Sequence, residues 1–370
     1  MGKPTLMFIY HLIWRIDTAD IRLKYELLSE KYHGLMLYLS SGTREQAYGD
    51  FRCLSYPFST PLKRLFTYPL YCIKMAKSLK KLDAIITYDP LLGGLIGYTL
   101  KCITGARLIV EVNGFNLDDM RFESRSWFTS LKIRIAPIIM RFVLNRADAV
   151  KFVSTELQES VERYLELTLK RKLSFFDFVP SSVFTKKPSS NQPYIFTAGY
   201  PFNRKGIDVL IRAFNLITNE FPGIKLKIVG FCEDLSLYYE LAAGNQAIEF
   251  HKPMNYEQII PVFENCLFFV LASRSEGMGR VLIEAMASGK PVIGSNVGGI
   301  PGVIRDGING FLFESENHEM LADKIRMLLC DDRLLKQMGD ASYRIVQECY
   351  TPESYIENYH NLIQQVLSDV

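Results

Sequence analysis

The chain has 370 residues, enough for two domains of ordinary size, and its 48% hydrophobic and 22% charged content is typical of a soluble globular protein. No uncharged apolar run reaches the roughly 18 residues that a membrane-spanning helix requires, which argues against an integral membrane protein. The net charge of +3 is uneven: residues 1–185 carry 26 basic and 18 acidic residues (+8), and residues 186–370 carry 17 and 22 (−5). A basic first half favours an anionic partner, either an acceptor molecule or a membrane surface.

Two features bear on the cellular compartment. The first ten residues lack both the apolar length and the small-residue cleavage site of a signal peptide. The seven cysteines are odd in number and include no C-x-x-C pair, which favours free thiols in a reducing compartment and argues against a zinc site. The sequence therefore predicts a cytoplasmic protein, with peripheral attachment to the cytoplasmic face of the membrane as an open alternative.

The first half alternates between short apolar runs and helical patterns. We predict strands at 6–11, 35–39, 83–88, 107–112, 149–154 and 173–179, and a helix at 21–31. This alternation is typical of a parallel sheet covered by helices.

Two stretches in this half combine basic and aromatic residues. Residues 61–81 contain six basic and no acidic residues, and a second stretch runs through 121–146. Pro69 suits a first helical position, and a helix from there places Lys74, Lys77 and Lys81 on one face. Either stretch is a solvated helix face or part of a patch that attaches to anionic lipid; together they favour the membrane slightly.

A polar, proline-rich segment at 185–193 predicts a linker. The sequence thus predicts a first domain at 1–185 and a second at 190–350. The second opens with a strand at 194–198, a loop at 199–206 and a helix to about 219. Further strands are predicted at 226–230 and 247–252, with a helix at 256–265.

The most informative stretch is 267–294. An apolar run at 267–271 predicts a buried strand, followed by a glycine-rich turn, a helix that ends at Gly289 and a second strand after Pro291. Glu276 lies at the strand's carboxyl edge, where the helix N-terminus favours an anion. Glu284 follows eight residues later, or about 12 Å along a helix. The two glutamates either grip the two ends of a long ligand or simply flank an ordinary helix.

The residues around these glutamates resemble the Glu-x7-Glu region of family 4 glycosyltransferases. The resemblance rests on Ser275-Glu276-Gly-Met-Gly-Arg-Val-Leu-Ile-Glu284-Ala-Met-Ala, on Val297-Gly-Gly-Ile-Pro301 and on Asp306-Gly-Ile-Asn-Gly310, and it covers about 194–313. It implies an α/β protein of the GT-B fold: two Rossmann-like, doubly wound domains that face each other across a cleft. It also implies a C-terminal helix, about 352–370, that crosses back to the N-terminal domain. The first domain would bind the acceptor and the second the nucleotide sugar.

The resemblance further implies a set of site residues. Glu276 would bind the sugar hydroxyls, Glu284 the ribose, and Lys205, with Arg204 as a substitute for the arginine of relatives, the leaving diphosphate. The remaining donor contacts would come from Gly277, Met278, Gly279, Arg280, Gly199, His251 and Asn113. Arg280 could instead simply pair with Glu284, and Asn113 could be only part of a turn.

The chain departs from relatives in several places. Tyr200 occupies the usual arginine position, Asn113 that of a sugar-contacting histidine and Gly302 that of a glutamate, and Ser181-Ser182 make the linker entry atypical. The loop after the first strand, 12–18, has no glycine.

The resemblance implies a retaining, metal-independent glycosyltransferase that moves a sugar from a UDP- or GDP-sugar to a glycan or lipid-linked acceptor. No cofactor is expected, and no nucleic-acid partner. Two alternatives stay open: a GT-B sugar-nucleotide epimerase or phosphorylase, and a non-catalytic nucleotide-sugar-binding partner of another transferase.

Overall fold

The computed structural model describes residues 2–13, 18–57, 60–114, 127–186 and 193–368. Within these ranges the strands are β1 Thr5–Ile13, β2 His33–Ser40, β3 Glu45–Tyr48, β4 Phe51–Pro57, β5 Ala84–Thr87, β6 Arg107–Val112, β7 Ala149–Phe152, β8 Lys172–Ser174, β9 Tyr194–Gly199, β10 Lys225–Gly230, β11 Ile248–His251, β12 Phe268–Leu271, β13 Val292–Ser295 and β14 Gly310–Phe313. The α-helices are α1 Ala19–Ser29, α2 Pro61–Ser78, α3 Leu92–Thr104, α4 Trp127–Leu144, α5 Thr155–Leu165, α6 Ile207–Ile217, α7 Ser236–Ala242, α8 Tyr256–Asn265, α9 Arg280–Ala287, α10 Ile300–Val303, α11 His318–Leu329, α12 Asp332–Cys349 and α13 Pro352–Leu367.

The described chain divides into two compact units. The first contains the residues up to Asn113, the stretch 127–178 and the residues from Pro352 onward; the second contains Gly114 and Val179–Thr351. The chain thus enters the second unit at Val179, ahead of the predicted linker.

The first unit is built on an eight-stranded sheet in the order β3-β4-β2-β1-β5-β6-β7-β8. All neighbouring strands are parallel except β3 and β4, which form an antiparallel edge. The central strands are buried on both faces and consist of continuous apolar residues, as is usual for parallel strands covered by helices. β5, for example, is fully buried along its length.

The last helix belongs to this first unit, as the resemblance implies. The buried Tyr359 hydroxyl donates a hydrogen bond to Glu111 of β6, and the Tyr32 hydroxyl lies 2.6 Å from Nδ1 of His360. The buried ammonium of Lys24 lies 5.1 Å from the centroid of the Tyr359 ring, a cation–π distance. Because Glu111 is buried, its contacts with Tyr359 and Lys24 offset the desolvation of its carboxylate.

The prediction that a helix begins at Pro69 is wrong. α2 begins at Pro61, and Pro69 lies inside it. Tyr68, Cys72 and Ala76 lie on one buried face across the proline, at a spacing of four residues, so core packing continues the helix through it. Lys81 lies beyond the helix end, with its Nζ 2.6 Å from Asp83 Oδ1, and does not share the helix face of Lys74.

The second unit has a six-stranded, fully parallel sheet in the order β11-β10-β9-β12-β13-β14. Its core includes the buried face of α6, with Leu210, Phe214 and Ile217, packed against β9 and β10. The sheet winds outward in both directions from β9 and β12, so its switch point lies between these two strands. The two units confirm the predicted pair of doubly wound α/β domains.

None of the helices within the described ranges is both long and apolar enough to cross a bilayer. All seven cysteines are free, and three of them, Cys53, Cys72 and Cys266, are buried. The glycine-free loop after β1 falls largely on residues 14–17, which lie outside the described part of the chain.

Candidate active site

The site lies in the second unit, where β9 and β12 end side by side. β9 leads through Gly199 into the loop that carries Arg204 and Lys205, and β12 leads into the turn that carries Glu276. Because both strands are parallel neighbours, both loops leave the sheet at its carboxyl edge. The switch point of an open α/β sheet is where such proteins bind ligands.

Lys205 and Glu276, 71 residues apart in sequence, form an ion pair at this edge. Lys205 Nζ lies 2.5 Å from Glu276 Oε2, and the Ser273 hydroxyl lies 3.3 Å from the same oxygen. The two side chains are only 10% and 15% exposed, so each charge has lost most of its hydration. Removing one partner would leave the other buried without compensation.

The electrostatics keep the Glu276 carboxyl ionised. Burial alone would raise its pKa, but the charge of Lys205, the hydrogen bond from Lys205 and the charge of Arg204 together hold the pKa below its usual range. Glu276 therefore acts as a hydrogen-bond acceptor rather than as a proton donor near neutral pH.

Arg274 braces the cationic loop, a role that the sequence analysis did not identify. Its guanidinium binds Asp208 at the start of α6 through two hydrogen bonds of 2.8 Å, and its backbone N–H donates to the Arg204 carbonyl at 2.8 Å. Burial would raise the pKa of Asp208, but its bonds to Arg274 lower it. The sequence signals were an arginine two residues before Glu276 and an acidic residue in the first turn of α6, the helix that follows the Arg204–Lys205 loop.

Two glycines let the backbone segments approach closely. Gly206 has φ +59°, and a Cβ there would lie 2.0 Å from the Ala272 carbonyl oxygen. Gly298 has φ +52°, and a Cβ there would lie 1.8 Å from the Glu276 carbonyl oxygen. The neighbouring Gly299 N–H donates to that oxygen at 3.2 Å. The Val297-Gly-Gly motif thus supports the backbone of Glu276.

Replacing Gly298 by alanine should displace this backbone. In Gly298→Ala the cost of a positive φ, about 1–2 kcal/mol, adds to a clash with the backbone. We therefore expect the free energy of unfolding to fall by more than the positive φ alone would cause, and donor binding to weaken. Gly307→Ala is the matched control, since Gly307 has φ +75° with no atom within 4 Å of its Cβ position. Urea unfolding of both variants measures the difference; equal losses would contradict the role given to Gly298.

Glu284 lies on α9, whose N-cap is Gly279 with φ +78°. The Glu284 carboxylate is 10% exposed, and Arg280 Nε donates to its Oε1 at 3.2 Å. The pairing of Arg280 with Glu284, which the sequence analysis left open as an alternative to donor binding by Arg280, is therefore present. Met278 is buried beside this turn. The first turn of α9 follows directly after Gly279, and the backbone N–H groups of a helix's first turn, which have no partner within the helix, favour an anion.

The other predicted residues are less closely grouped. Gly199 lies against Lys205: a Cβ on Gly199 would be 2.8 Å from the Lys205 Cε. The Arg204 guanidinium donates to the Tyr200 carbonyl at 3.1 Å. The exposed Tyr200 ring lies 5.8 Å from that of Phe231, at the ends of β9 and β10. These two rings form an aromatic surface that sequence reasoning did not identify.

His251 and Asn113 lie elsewhere. His251 ends β11, an edge strand, and its Nε2 lies 3.4 Å from Glu249. Asn113 follows β6 in the first unit, where its Nδ2 donates to the Tyr88 carbonyl at 3.2 Å. The two residues occupy carboxyl-edge positions, each in the sheet of its own unit.

The chain is similar to known proteins in both sequence and fold. Residues 180–345 match the family described as glycosyl transferases group 1. N-acetyl-alpha-D-glucosaminyl L-malate synthase from Bacillus anthracis is 25% identical over 325 residues, which is 82% of each chain. Sucrose-phosphate synthase from Thermosynechococcus elongatus aligns with a TM-score of 0.81 at 18% identity, over 100% of both chains. Anabaena HepE, solved in complex with UDP-glucose, aligns with a TM-score of 0.73 at 15% identity, over 98% of this chain and 100% of its own.

The fold is thus the GT-B fold that these solved structures share. Over residues 180–345, which include its Glu-x7-Glu motif, the chain is similar to the group 1 glycosyltransferases.

Proposed function

We propose that the protein is a retaining, metal-independent glycosyltransferase that moves a sugar from a UDP- or GDP-sugar to a glycan or lipid-linked acceptor. The reaction would serve the synthesis of a cell-surface polysaccharide or glycolipid. The observation that carries the proposal is the buried Lys205–Glu276 pair at the switch point of the second sheet, flanked by the glycine-rich turn before α9.

The proposal gives each charged group a role. Lys205 and Arg204 neutralise the diphosphate as charge develops on it, and they supply the positive charge that a metal ion would otherwise provide. Glu276 accepts hydrogen bonds from sugar hydroxyls, and the amides of Gly277 to Arg280 hold the sugar and the phosphate. Glu284 takes the ribose hydroxyls. The sugar passes through an oxocarbenium-like state and is attacked on the face from which the diphosphate leaves.

The remaining proposed contacts bind the base and the sugar of the nucleotide-sugar donor. His251 lies near the base in this proposal, and Asn113 contacts the transferred sugar in place of a histidine. The UDP-glucose complex of HepE supports a uridine donor for a protein of this fold. The exposed Tyr200 and Phe231 rings offer a stacking surface, which a planar base or a sugar face can use.

A panel of nucleotide sugars tests the donor assignment. A ligand at 100 times its Kd stabilises a protein by about 2.7 kcal/mol, so thermal unfolding of the whole chain identifies the donor. Slow release of free sugar from that donor supports the transferase, and a donor that binds without any turnover supports the non-catalytic alternative. Conversion of the donor to an isomeric nucleotide sugar without any acceptor would favour the epimerase.

Exposed side chains on two helices of the first unit support the proposal that a membrane surface is a partner of the protein. Apolar side chains project into solvent from α2 and α4, which both pack on α3. They form what we term the apolar helical surface: Leu65, Phe66 and Leu70 of α2, and Leu131, Ile135 and Ile138 of α4. Phe66 is 67% and Ile138 69% exposed. Exposed basic residues, Lys74, Lys77, Lys132 and Arg134, lie on the same two helices.

We expect this surface to attach the protein reversibly to anionic bilayers. Each basic residue near such a surface contributes about 1 kcal/mol, and buried apolar side chains add to this. In a flotation assay the protein should rise with vesicles containing phosphatidylserine at low salt and stay behind with pure phosphatidylcholine. The double variant Phe66→Ser and Leu70→Ser should lose flotation, while Leu237→Ser, at an exposed site of the second unit, should keep it. No flotation at low salt would reject the attachment.

A further inference from the structure

The first unit contains a cleft that the donor site does not use. It lies at the amino edge of the eight-stranded sheet, between the ends of α2 and α3 and the starts of β5 and β6, with Leu367 of α13 on one side. Its volume is about 520 Å³, which falls in the range of about 300–1,000 Å³ of small-molecule sites. Open α/β sheets bind their usual ligand at the carboxyl edge, so this cleft is a separate feature of the unit.

The cleft combines buried apolar residues with basic side chains that reach solvent. Ala76 and Ala106 are each 3% exposed, and their short side chains leave the interior of the cleft open. The basic residues of the lining outnumber the acidic ones by four to one: Lys77, Lys80, Lys81 and Arg107 against Asp83. An excess of positive charge around a partly apolar recess favours an anionic ligand with some carbon surface.

The carboxylate of Asp83 does not neutralise this charge, because both of its oxygens already have partners. Its Oδ1 lies 2.6 Å from Lys81 Nζ, and its Oδ2 accepts a hydrogen bond from the backbone N–H of Thr5 at 2.8 Å. In the part of the chain that the structure describes, Lys77 and Lys80 form no ion pair with a carboxylate. Both side chains are exposed, so their ammonium groups are available to a ligand.

The C-terminal ends of two helices offset only part of the positive charge. α2 ends at Ser78 and α3 at Thr104, and both ends lie at the cleft. Each helix end carries about half a negative elementary charge, so the two together offset about one of the three net positive charges on the lining side chains. The surplus of about two positive charges matches a phosphate monoester, which carries about −1.5 to −2 near neutral pH.

Backbone donors accompany the two lysines. The segment between α2 and β5 lines the cleft with Lys80, Lys81 and Leu82. Within the described ranges, the N–H groups of these three consecutive residues donate no hydrogen bond to the protein. Phosphate oxygens are commonly bound by consecutive backbone amides together with charged side chains. The segment thus offers amide donors beside the ammonium groups.

We propose that this cleft binds a phosphate ester, whose phosphoryl oxygens contact Lys77 and Lys80 and whose carbon part packs against Ala76 and Ala106. The ester is either a free phosphorylated small molecule or the headgroup of an acidic phospholipid, since both present the same anion. This binding does not depend on the transferase function, because the cleft lies within the first unit and the Lys205–Glu276 pair lies in the second.

Amine labelling of the whole protein, read by mass spectrometry, tests the site one lysine at a time. Glycerol 3-phosphate is the free probe, with glycerol as its blank at equal ionic strength. At ten times its Kd, we expect it to slow the labelling of Lys77 and Lys80 by about tenfold, in proportion to occupancy. Lys74 is the internal control, because it is exposed one turn before Lys77 on α2 and lies outside the cleft.

Phosphatidylcholine vesicles that contain phosphatidic acid form the lipid arm, since phosphatidic acid carries the same glycerol phosphate group. Vesicles with phosphatidylserine at equal charge are the comparison. If the ligand is a lipid, phosphatidic acid should protect Lys77 and Lys80 more than phosphatidylserine does, and Lys74 equally. Selective protection in either arm supports the site and identifies the source of the ester. No selective protection in either arm, or the same protection at Lys74, would overturn it.

Single substitutions then test the two lysines with the probe that protects them. Because both side chains are exposed, Lys77→Gln and Lys80→Gln should fold as the wild type does. Each should raise the Kd, read from labelling of the other lysine, by about fivefold, the effect of losing one exposed charge-assisted contact. Lys74→Gln and Lys205→Met should leave the Kd unchanged. An unchanged Kd in both cleft variants would overturn the site, whereas loss of donor binding in Lys205→Met concerns only the second unit.

Discussion

Replacing Lys205 by methionine should lower the rate of sugar transfer by about 10²–10³-fold, the usual effect of removing one charge-stabilising donor from a transition state. The methionine keeps the apolar stem over Gly199 but removes the cation that faces Glu276. The loss should appear mainly in kcat, because charge on the diphosphate develops as the sugar departs. Initial rates at saturating donor measure the effect.

The same substitution should also destabilise the fold, because Glu276 would be left buried without its partner. Lys205→Met combined with Glu276→Gln should therefore be more stable than Lys205→Met alone in urea unfolding. Lys186→Met is the control, since Lys186 pairs with Asp340 at 2.5 Å on the exposed surface of the same unit. Wild-type rates in Lys205→Met would exclude Lys205 from the mechanism.

Glu276→Gln should slow transfer by about one to two decades, since a hydrogen bond to a charged group contributes roughly 1.5–3 kcal/mol. The amide keeps the shape of the side chain but accepts weaker hydrogen bonds from the sugar hydroxyls and no longer attracts Lys205. Because the pKa of Glu276 is held low, the wild type keeps a carboxylate throughout the neutral range, and the defect should not depend on pH there.

The matched control is Glu220→Gln, at an exposed glutamate that pairs with Arg326 at 2.8 Å. We expect it to leave transfer unchanged. If Glu276→Gln turned over the donor as fast as the wild type, Glu276 would have no part in the mechanism.

The central strands of both sheets were predictable from the sequence, because each has a local apolar pattern. Apolar runs marked the central strands such as β5 and β12, because a parallel strand buried on both faces must be apolar throughout. The switch-point rule and the motif then placed Glu276 at the carboxyl edge. The resemblance assigned Lys205 and Glu276 to the same donor, but nothing in the sequence predicted the ion pair between them.

Other features depend on contacts that no local pattern encodes. α2 continues through Pro69 because Tyr68 and Cys72 are buried on both sides of it, and that burial is a property of the folded unit. The brace from Arg274 to Asp208 joins residues 66 apart in sequence. His11, whose Nδ1 lies 2.6 Å from Asp89 Oδ2, is in the stretch of β1 where the register shifts, and nothing in an apolar strand pattern predicts the two extra residues there.

Calorimetric titration of UDP and of GDP tests the central claim most directly. If the pocket at Lys205 and Glu276 holds a nucleoside diphosphate, one of the two nucleotides should bind the wild type with a Kd in the millimolar range or tighter. Its affinity should fall at least about tenfold in Lys205→Met, as expected for a lost charge-assisted hydrogen bond, and stay unchanged in Lys186→Met. No binding of either nucleotide at millimolar concentration, or equal affinity in all three proteins, would contradict it.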